Sequence, residues 1–180
     1  MRVVGGKLRH RIIQMTNLET TRETQDKVRE AIFNMIGPYF DGGSCLDLFA
    51  GSGAMGIEAY SRGIKEIYLN DIEKQAIAVC KKNCQSLQID EAFFSSLDYH
   101  LFARDCSSQF NLIILDPPYR MDDTEEILST IYPLVKENGI VVFEMGRDSP
   151  YPERLFELEL IKNKTYGIKR VAVYRRCLHE

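Results

Sequence analysis

The feature that most constrains the fold of this chain is an alternation of short apolar runs with helical segments between residues 45 and 144. Strands that alternate with helices of this length imply right-handed crossovers and a parallel sheet covered on both faces. The sequence therefore predicts an α/β fold with a doubly wound sheet. The expected strands are Cys45–Phe49, Glu66–Asn70, Ala92–Ser96, Phe110–Leu115 and Ile140–Glu144, and the expected helices are Ala54–Ser61, Glu73–Leu87, a short piece near His100, and Thr124–Val135.

Both ends of the chain depart from this alternation. Leu155–Thr165 and Ile168–Arg176 have strand-like patterns and meet at a tight turn, so we expect an antiparallel hairpin to end a Rossmann-like, mostly parallel sheet of seven strands. At the start, Val3 to Ile13 predicts a short β-hairpin appended outside the core, and an amphipathic helix follows from Thr24, its expected N-cap. We expect one domain over 1–180, in which 1–40 is the appended hairpin and helix and 41–180 is the Rossmann-like core.

The composition indicates a globular protein, with 44% hydrophobic and 27% charged residues among 180. The five cysteines are an odd number without a CxxC pair, so we expect reduced thiols and no metal site. No apolar run reaches the length of a signal peptide or a membrane span, which predicts a cytoplasmic protein.

The net charge of −3 argues against a generic polyanion binder, but both ends of the chain are basic. Each basic cluster alone is typical of a solvated edge. If the two clusters fall on one face, they form a surface that follows a phosphate backbone. The first cluster is Arg2, Lys7, Arg9, His10 and Arg11, and the second is Lys162, Lys164, Lys169, Arg170, Arg175 and Arg176.

A glycine-rich turn follows the first sheet strand and opens a helix, which is the place where backbone approaches a nucleotide. Its spacing is Gly-x-Gly-x-x-Gly, a weak signal by itself. Asp71 ends the next strand, where a carboxylate accepts hydrogen bonds from both ribose hydroxyls, and Asp98 after the third strand is placed to hold an adenine amino group beside Leu97 or Tyr99. The expected cofactor-binding residues are Asp47, Phe49, Gly51, Ser52, Gly53, Gly56, Asp71, Ile72, Leu97 and Asp98.

Asp47 indicates which nucleotide this turn binds. It lies four residues before Gly51, where the diphosphate of a nicotinamide cofactor would be repelled by a carboxylate. The methionine end of S-adenosylmethionine carries an ammonium and a sulfonium, and a carboxylate attracts both. Asp47 also has a structural interpretation, as an acceptor of backbone N–H bonds from the glycine loop, and the two roles are compatible.

A second motif follows the apolar strand that ends at Leu115. Asp116, Pro117, Pro118 and Tyr119 come at its carboxyl end, and two prolines fix the backbone of this loop. The Asp116 carboxylate and the Pro117 carbonyl are both acceptors and can hold both hydrogens of an amino group on an aromatic ring. Tyr119 is expected to stack on the base that carries the amine. We therefore predict methyl transfer to an exocyclic amine of a nucleobase, with S-adenosylhomocysteine as the product. Asp116 positions the amine first and acts as a general base second.

These motifs resemble the RsmD-type methyltransferases, which methylate a guanine N2 in bacterial small-subunit ribosomal RNA. The resemblance covers nearly the whole chain. It rests on MRVVGGKLRHR, TRETQDKVREAIFNMI, LDLFAGSGAMGIEAYSRG, the LND strand end and NLIILDPPY. The glycine motif and the DPPY loop are shared by many amino-methyltransferases, whereas TRETQDKVREAIFN is specific to this family.

The resemblance implies that the N-terminal hairpin binds RNA and that one segment lies near the mouth of the active site. That segment contributes Thr21, Arg22, Thr24, Arg29, Glu30 and Asn34. The expected substrate-binding residues are Arg2, Lys7, Arg9, Arg11, Thr21, Arg22, Thr24 and Arg29. Glu23 stands where the family commonly has proline, and His10-Arg11 replaces a glycine-containing basic turn; both departures concern RNA contact, not chemistry. From the residues alone, Arg22 and Arg29 are ordinary surface charges of a helix.

Three other functions fit parts of the sequence. An adenine-N6 methyltransferase of DNA or RNA uses the same chemistry, although this chain has little length for an added DNA-recognition region. An NAD-dependent oxidoreductase fits the glycine spacing but is opposed by Asp47, the DPPY loop and the closing hairpin. A non-catalytic RNA-binding module has no physical need for either motif. The expected partner is ribosomal RNA, free or within an assembling small subunit, without an obligate protein partner.

Overall fold

The computed structural model of the chain describes residues 1–17, 24–118 and 120–178. The strands are β1 Ser44–Asp47, β2 Glu66–Asn70, β3 Ala92–Ser95, β4 Phe110–Leu115, β5 Val135–Gly146, β6 Arg154–Leu155, β7 Leu158–Tyr166 and β8 Lys169–Arg176. The helices are α1 Asp26–Ile36, α2 Ala54–Ser61, α3 Lys74–Ser86, α4 Tyr99–Asp105 and α5 Thr124–Ile131, and a 3-10 turn covers Tyr132–Leu134.

The strands form a sheet in the order β3-β2-β1-β4-β5-β8-β7-β6. The first five strands of the chain pair in parallel, and β8 then runs antiparallel between β5 and β7. The predicted α/β fold with a doubly wound, mostly parallel sheet and a closing hairpin is confirmed. Within the described residues the sheet has eight strands where the sequence predicts seven, because Phe156 adopts a left-handed backbone (φ 54°) and separates the two-residue β6 from β7.

The predicted helix Thr124–Val135 is too long, and the following strand is too short. Helix α5 ends at Ile131, and the 3-10 turn containing Pro133 delivers Val135 directly into β5 opposite Phe110. Since Asn138 has a positive φ of 62°, the chain bulges before Ile140 pairs with Leu112. The polar residues from Lys136 to Gly139 indicate a loop between helix and strand, because periodicity alone does not mark a bulge.

Alternate residues of the strands fill two core layers. One layer, which we call the α1 side, contains Leu112, Val142, Val171 and Val173 packed with α1, α2 and α3. The other contains Ile113, Val141, Phe143 and Ala172 packed with α4 and α5. Among residues 1–17, 24–118 and 120–178, no helix combines the length and the apolar character needed to cross a membrane.

The N-terminal segment is part of the α1 side, not the appendage outside the core that we predicted. Val3 and Ile13 are almost completely buried in that layer. The segment turns back on itself through Val3 N–H to Arg11 and His10 N–H to Val3 bonds, with one bridge between Arg2 and Ile12. Burying one apolar residue on each arm fixes the segment to the sheet, since each such side chain contributes about 1.5–3 kcal/mol.

A buried ionic network also holds this segment. The Glu58 carboxylate of α2 accepts from Arg29 Nε (3.2 Å), from Arg62 Nε (2.8 Å) and from the N–H groups of Val4 and Gly5. Arg29 further donates to the carbonyls of Thr24 and Arg2 and to Asp26. Two buried guanidinium groups and two backbone donors therefore compensate one buried carboxylate.

Candidate active site

A cavity of about 630 Å³ opens at the carboxyl ends of β1, β2 and β4, where ligands bind in doubly wound sheets. The predicted site residues that line it are Thr24, Asp47, Phe49, Gly51, Asp71, Ile72, Leu97, Asp98, Asp116, Pro117 and Pro118. Residues that line it without having been predicted are Leu48, Ala50, Ala54, Met55, Asn70, Glu73, Arg120, Met121 and Lys169. One cavity therefore joins two parts of the site. We call the part around the glycine turn and the ends of β1, β2 and β3 the glycine-turn half, and the part around the DPPY loop the acceptor half.

Asp47 anchors the glycine turn through a hydrogen bond to the helix that follows it. The Asp47 side chain accepts the Gly56 N–H at 3.0 Å, so this carboxylate anchors the first turn of α2 while it faces the cavity. Gly53 has a φ of 85°, which favours glycine, and a Cβ at Gly56 would lie 2.4 Å from the Leu69 side chain. Ser52, Gly53 and Gly56, predicted to bind the cofactor, shape the turn behind the cavity wall and do not line the cavity.

Asp71 lies at the end of β2 with both carboxylate oxygens oriented by backbone. Its Oδ2 accepts the Gly51 N–H and its Oδ1 accepts the Glu73 N–H, each at 2.9 Å. These bonds hold the carboxylate at the cavity wall beside the exposed Ile72. A carboxylate in this position has remaining lone pairs for a diol.

The far wall of this half comes from the chain after β3. Asp98 caps α4 by accepting the His100 N–H at 2.9 Å, and it lines the cavity with Leu97 and Tyr99. The Asn70 amide ties the three strand ends together: it donates to the Leu48 and Leu97 carbonyls and accepts the Leu97 N–H. Sequence reasoning missed Asn70, although a buried polar residue at the end of an apolar strand was a visible signal.

The DPPY loop contributes one carboxylate, Asp116, which contacts side chains from two other segments. Asp116 Oδ2 lies 3.4 Å from the hydroxyl of Thr24, and Asp116 Oδ1 lies 3.7 Å from Lys169 Nζ. Pro117 and Pro118 line the cavity beside it, whereas Tyr119 lies outside the described residues. Asp116 is thus held from two directions, by the segment before α1 and by the start of β8.

Glu144, near the end of β5, completes this cluster and was not predicted. Its carboxyl oxygens lie 3.1 and 3.2 Å from the Thr24 hydroxyl, and Lys169 Nζ lies 4.0 Å away. Burial, and then the nearby Asp116 carboxylate, raise the pKa of Glu144 well above its ordinary value, against the opposing effects of Lys169 and Thr24. A charged residue at the carboxyl end of the apolar run IVVFEM was the available signal.

Arg29, predicted to bind substrate, is a structural residue. Its side chain is 0% exposed and is committed to Glu58, Asp26 and two backbone carbonyls. It therefore cannot reach RNA, and the expectation is wrong for this residue. The helix pattern did not reveal this, because the partners come from segments far away in the chain. Thr21 and Arg22 lie outside the described residues.

The other predicted RNA-binding residues, Arg2, Lys7, Arg9 and Arg11, are exposed. The backbone N–H of Lys7 binds the Ser61 carbonyl, and Arg11 Nη2 contacts the Ser86 carbonyl. These carbonyls lie at the last residues of α2 and α3. At the opposite helix ends, Ala54 of α2 and Glu73, the N-cap of α3, line the cavity, and the helices are about 12 and 20 Å long. Lys7 and Arg11 are therefore held at the helix ends away from the cavity, whereas the Arg2 carbonyl accepts from Arg29, which also donates to the carbonyl of the cavity-lining Thr24. The contact of these residues with RNA stays a prediction.

Part of the second basic cluster adjoins the site directly. On β7, Lys162 pairs with Val173 and Lys164 with Val171, so both lysines lie on the α1 side, as does Lys169 two residues before Val171. We call Lys162, Lys164 and Lys169 the lysine row. Because Val3 and Ile13 pack on the same side, portions of both basic clusters share one side of the sheet. Arg170 and Arg176 lie on the other side, against Tyr151 and Tyr132.

Comparison with known proteins decides the family. Residues 1–175 match the family described as conserved hypothetical protein 95. The chain belongs to this family, the RsmD family. It is 34% identical to the ribosomal RNA small subunit methyltransferase D of Haemophilus influenzae, covering 97% of this chain and 93% of that one, and 39% identical to YlbH of Bacillus subtilis, covering 98% and 99%.

The fold is also similar to that of a solved structure described as a methyltransferase. The solved structure of yhhF from Escherichia coli covers 99% of both chains with a TM-score of 0.88 and 26% identity. Family, relatives and fold agree on an rRNA methyltransferase, as the sequence predicts at that level. The relatives are named as methyltransferases, which opposes the alternatives of an NAD-dependent oxidoreductase and a non-catalytic RNA-binding module.

Proposed function

We propose that this RsmD family member transfers a methyl group from S-adenosylmethionine to the exocyclic N2 amine of a guanine in small-subunit (16S) ribosomal RNA. The observation that carries the proposal is one cavity that joins the acids of the glycine-turn half, Asp47 and Asp71, to Asp116 and Pro117 of the DPPY loop. The small-subunit methyltransferase D relatives support the substrate. We place the reaction in the cytoplasm, where ribosomal subunits are assembled.

The residues of the glycine-turn half fit S-adenosylmethionine by the chemistry of their donors and acceptors. Asp71 offers a backbone-fixed carboxylate for the ribose diol, Asp98 and Leu97 lie where an adenine ring would pack, and Asp47 faces the cationic methionine end. A diphosphate would meet the Asp47 carboxylate instead, at an energetic cost. When bound, S-adenosylmethionine supplies an electrophilic methyl group, and S-adenosylhomocysteine is its product.

The acceptor half suits a planar amine. A guanine amine is a weak nucleophile, because its lone pair is delocalised into the ring. Asp116 and the Pro117 carbonyl hold its two hydrogens and thereby orient the nitrogen. Asp116 then accepts a proton from the methylated nitrogen, or water does. Tyr119 stacks on the extruded base in this proposal.

We assign the RNA path to the α1 side of the sheet. The lysine row leads from the C-terminal end of α1, where Lys162 Nζ contacts the Met35 carbonyl at 2.8 Å, to Asp116 beside Lys169. Alternate residues of a strand are about 7 Å apart, so Lys162 and Lys164 present two evenly spaced cations on β7 to a phosphate backbone, and Lys169 continues the row on β8 beside Asp116. The exposed N-terminal arginines extend this positive surface along the RNA.

The test is a transfer assay with radiolabelled S-adenosylmethionine and three acceptors: protein-free small-subunit RNA, small subunits that lack the modification, and duplex DNA. The proposal expects label in a ribosomal substrate and none in DNA. Label in DNA would favour the adenine-N6 alternative. Calorimetry measures cofactor binding separately, and failure to bind S-adenosylmethionine would refute the cofactor assignment.

A further inference from the structure

The geometry points to Glu144 as a positioning residue: its protonated carboxyl group donates to the Thr24 hydroxyl, which in turn donates to Asp116. This inference rests on the proposed role of Asp116 in holding the amine. It assigns a function to a buried acid that the methyl-transfer chemistry itself does not require. It also gives Thr24 a role within the protein instead of a contact with RNA.

The direction of the hydrogen bonds follows from Thr24 having one proton. The Thr24 oxygen lies 3.1 Å from Glu144 Oε1 and 3.4 Å from Asp116 Oδ2, so one hydroxyl serves two carboxyl groups. If both acids were ionised, Thr24 could donate to only one of them at a time, and two like charges would face each other. With the proton on Glu144, the chain runs Glu144 to Thr24 to Asp116, and each proton has an acceptor.

The surroundings of Glu144 favour that proton. Its side chain is 0% exposed, and the charged groups acting on it come from several elements: Asp116 after β4, Lys169 at the start of β8 and Asp47 at the end of β1. Asp122, before α5, borders the small cavity that Glu144 and Lys169 also line. Among the charged groups of the described residues that act on Glu144, two are carboxylates that oppose its ionisation and one is an ammonium that favours it. A neutral Glu144 together with an ionised Asp116 and Lys169 brings that trio to zero net charge.

This arrangement fixes the orientation of the Asp116 carboxylate and keeps it ionised. Thr24 contacts Oδ2 and Lys169 faces Oδ1, so both oxygens are held from the protein side. Ionisation of Glu144 turns the Thr24 hydroxyl away from Asp116 and adds a second negative charge beside it. We therefore expect turnover to fall as the pH rises through the pKa of Glu144.

The experiment compares Glu144→Gln, which keeps a neutral donor, with Glu144→Ala, which keeps none. The expected results are a fall in kcat of about 10²-fold for Glu144→Ala, as for a displaced catalytic group, and rescue in Glu144→Gln. The Glu144-dependent fall of kcat with rising pH should disappear in Glu144→Gln. Equal losses of kcat in both variants, or an unchanged pH dependence in Glu144→Gln, would overturn the inference.

Substitutions of Thr24 provide a second test. Thr24→Val removes the hydroxyl, and Thr24→Ser is the matched control that keeps it. In the double variant that combines Thr24→Val with Glu144→Ala, the losses of kcat should not be additive in free energy, because both changes break the same hydrogen-bond chain. Additive losses would contradict this hydrogen-bond chain. Each variant is first checked for a wild-type melting transition and for S-adenosylmethionine binding.

Infrared spectroscopy separates this inference from the proposed function. The Glu144–Thr24–Asp116 hydrogen-bond chain requires a band of a protonated carboxyl group at the pH of the activity assay. This band is present in the wild type and lost in Glu144→Gln, whatever substrate the protein methylates. Absence of this band would overturn the inference even if N2 methylation is observed. Its presence without methylation would keep the inference on Glu144 and contradict the function assigned to Asp116.

Discussion

Glu58 and Glu144 both have side chains that are 0% exposed, but their surroundings differ. Glu58 receives two guanidinium groups and two backbone N–H groups. Glu144 lies near one hydroxyl, one ammonium at 4.0 Å and a second carboxylate. A buried acid that is fully compensated holds segments of the fold together, whereas one that is incompletely compensated changes protonation and is available to a site.

The largest effect should follow from breaking the compensated acid. Glu58→Ala leaves Arg29 and Arg62 buried without their carboxylate, so we expect a loss of about 3–5 kcal/mol in the free energy of unfolding. Denaturant titration measures it, with the exposed Glu137→Ala as the matched control. A loss no larger than that of the control would remove the structural role assigned to this network.

A substitution in the acceptor half should lower kcat without lowering the free energy of unfolding. Asp116→Ala removes an acceptor of the amine, and we expect kcat to fall by about 10²–10³-fold. Cofactor affinity, measured by calorimetry, should change little, because Asp116 lies outside the glycine-turn half. Undiminished methylation by this variant contradicts the assignment of the DPPY loop.

A substitution in the glycine-turn half should lower the affinity for S-adenosylmethionine. Asp71→Ala removes hydrogen bonds to a charged group worth about 1.5–3 kcal/mol, so the Kd for S-adenosylmethionine should rise roughly 10- to 100-fold. The matched change Glu73→Ala removes a neighbouring carboxylate at the cavity wall but keeps the Glu73 backbone N–H that donates to Asp71. Similar affinities in the two variants would show that Asp71 does not hold the ribose.

Glu144, the incompletely compensated acid, should also make stability depend on pH. Burial raises the pKa of Glu144, so the stability that this group contributes is fully present below its ordinary value near 4.5 and is lost as the pH rises through the folded pKa. Because Glu144→Gln does not titrate, its free energy of unfolding relative to wild type should increase with pH. Denaturant titrations between pH 5 and pH 9 measure the difference, and a constant difference would contradict the raised pKa.

The smallest effect concerns the lysine row. Replacing Lys162 and Lys164 by alanine removes two phosphate contacts, and the slope of log affinity for single-stranded RNA against log salt should fall by about 1.4. Lys136→Ala, in the bulge at the start of β5, is the matched control with an exposed lysine elsewhere. An unchanged slope in the double variant would move the RNA path away from β7.

The two halves of the site also differ in how far the sequence predicts them. Hydrogen bonds of the glycine-turn half join residues only 9 and 20 positions apart, such as Asp47 with Gly56 and Gly51 with Asp71. Such ligands follow one turn and neighbouring strand ends, so the motif indicates them. In the acceptor half, Thr24 meets Asp116 and Glu144 across 92 and 120 positions. No local pattern encodes these contacts, and Glu144 and Lys169 were missed.

The fold was predictable for a related reason. Alternating strands and helices specify the doubly wound sheet locally, and the errors fall where a single backbone conformation intervenes, at Phe156 and Asn138. Arg29 shows the opposite limit, because its position on an amphipathic helix looks like that of a surface charge. Only the packing of α1 against α2 makes it a buried partner of Glu58.

The most direct test of the account is the identity of the methylated nucleoside. Small-subunit RNA that lacks the modification is incubated with the protein and S-adenosylmethionine, digested to nucleosides and analysed by mass spectrometry. A parallel RNA fragment carries inosine, which lacks the N2 amine, in place of guanosine. The account predicts N2-methylguanosine from the first RNA and no transfer to the inosine positions. N6-methyladenosine, or methylation at inosine, would contradict it.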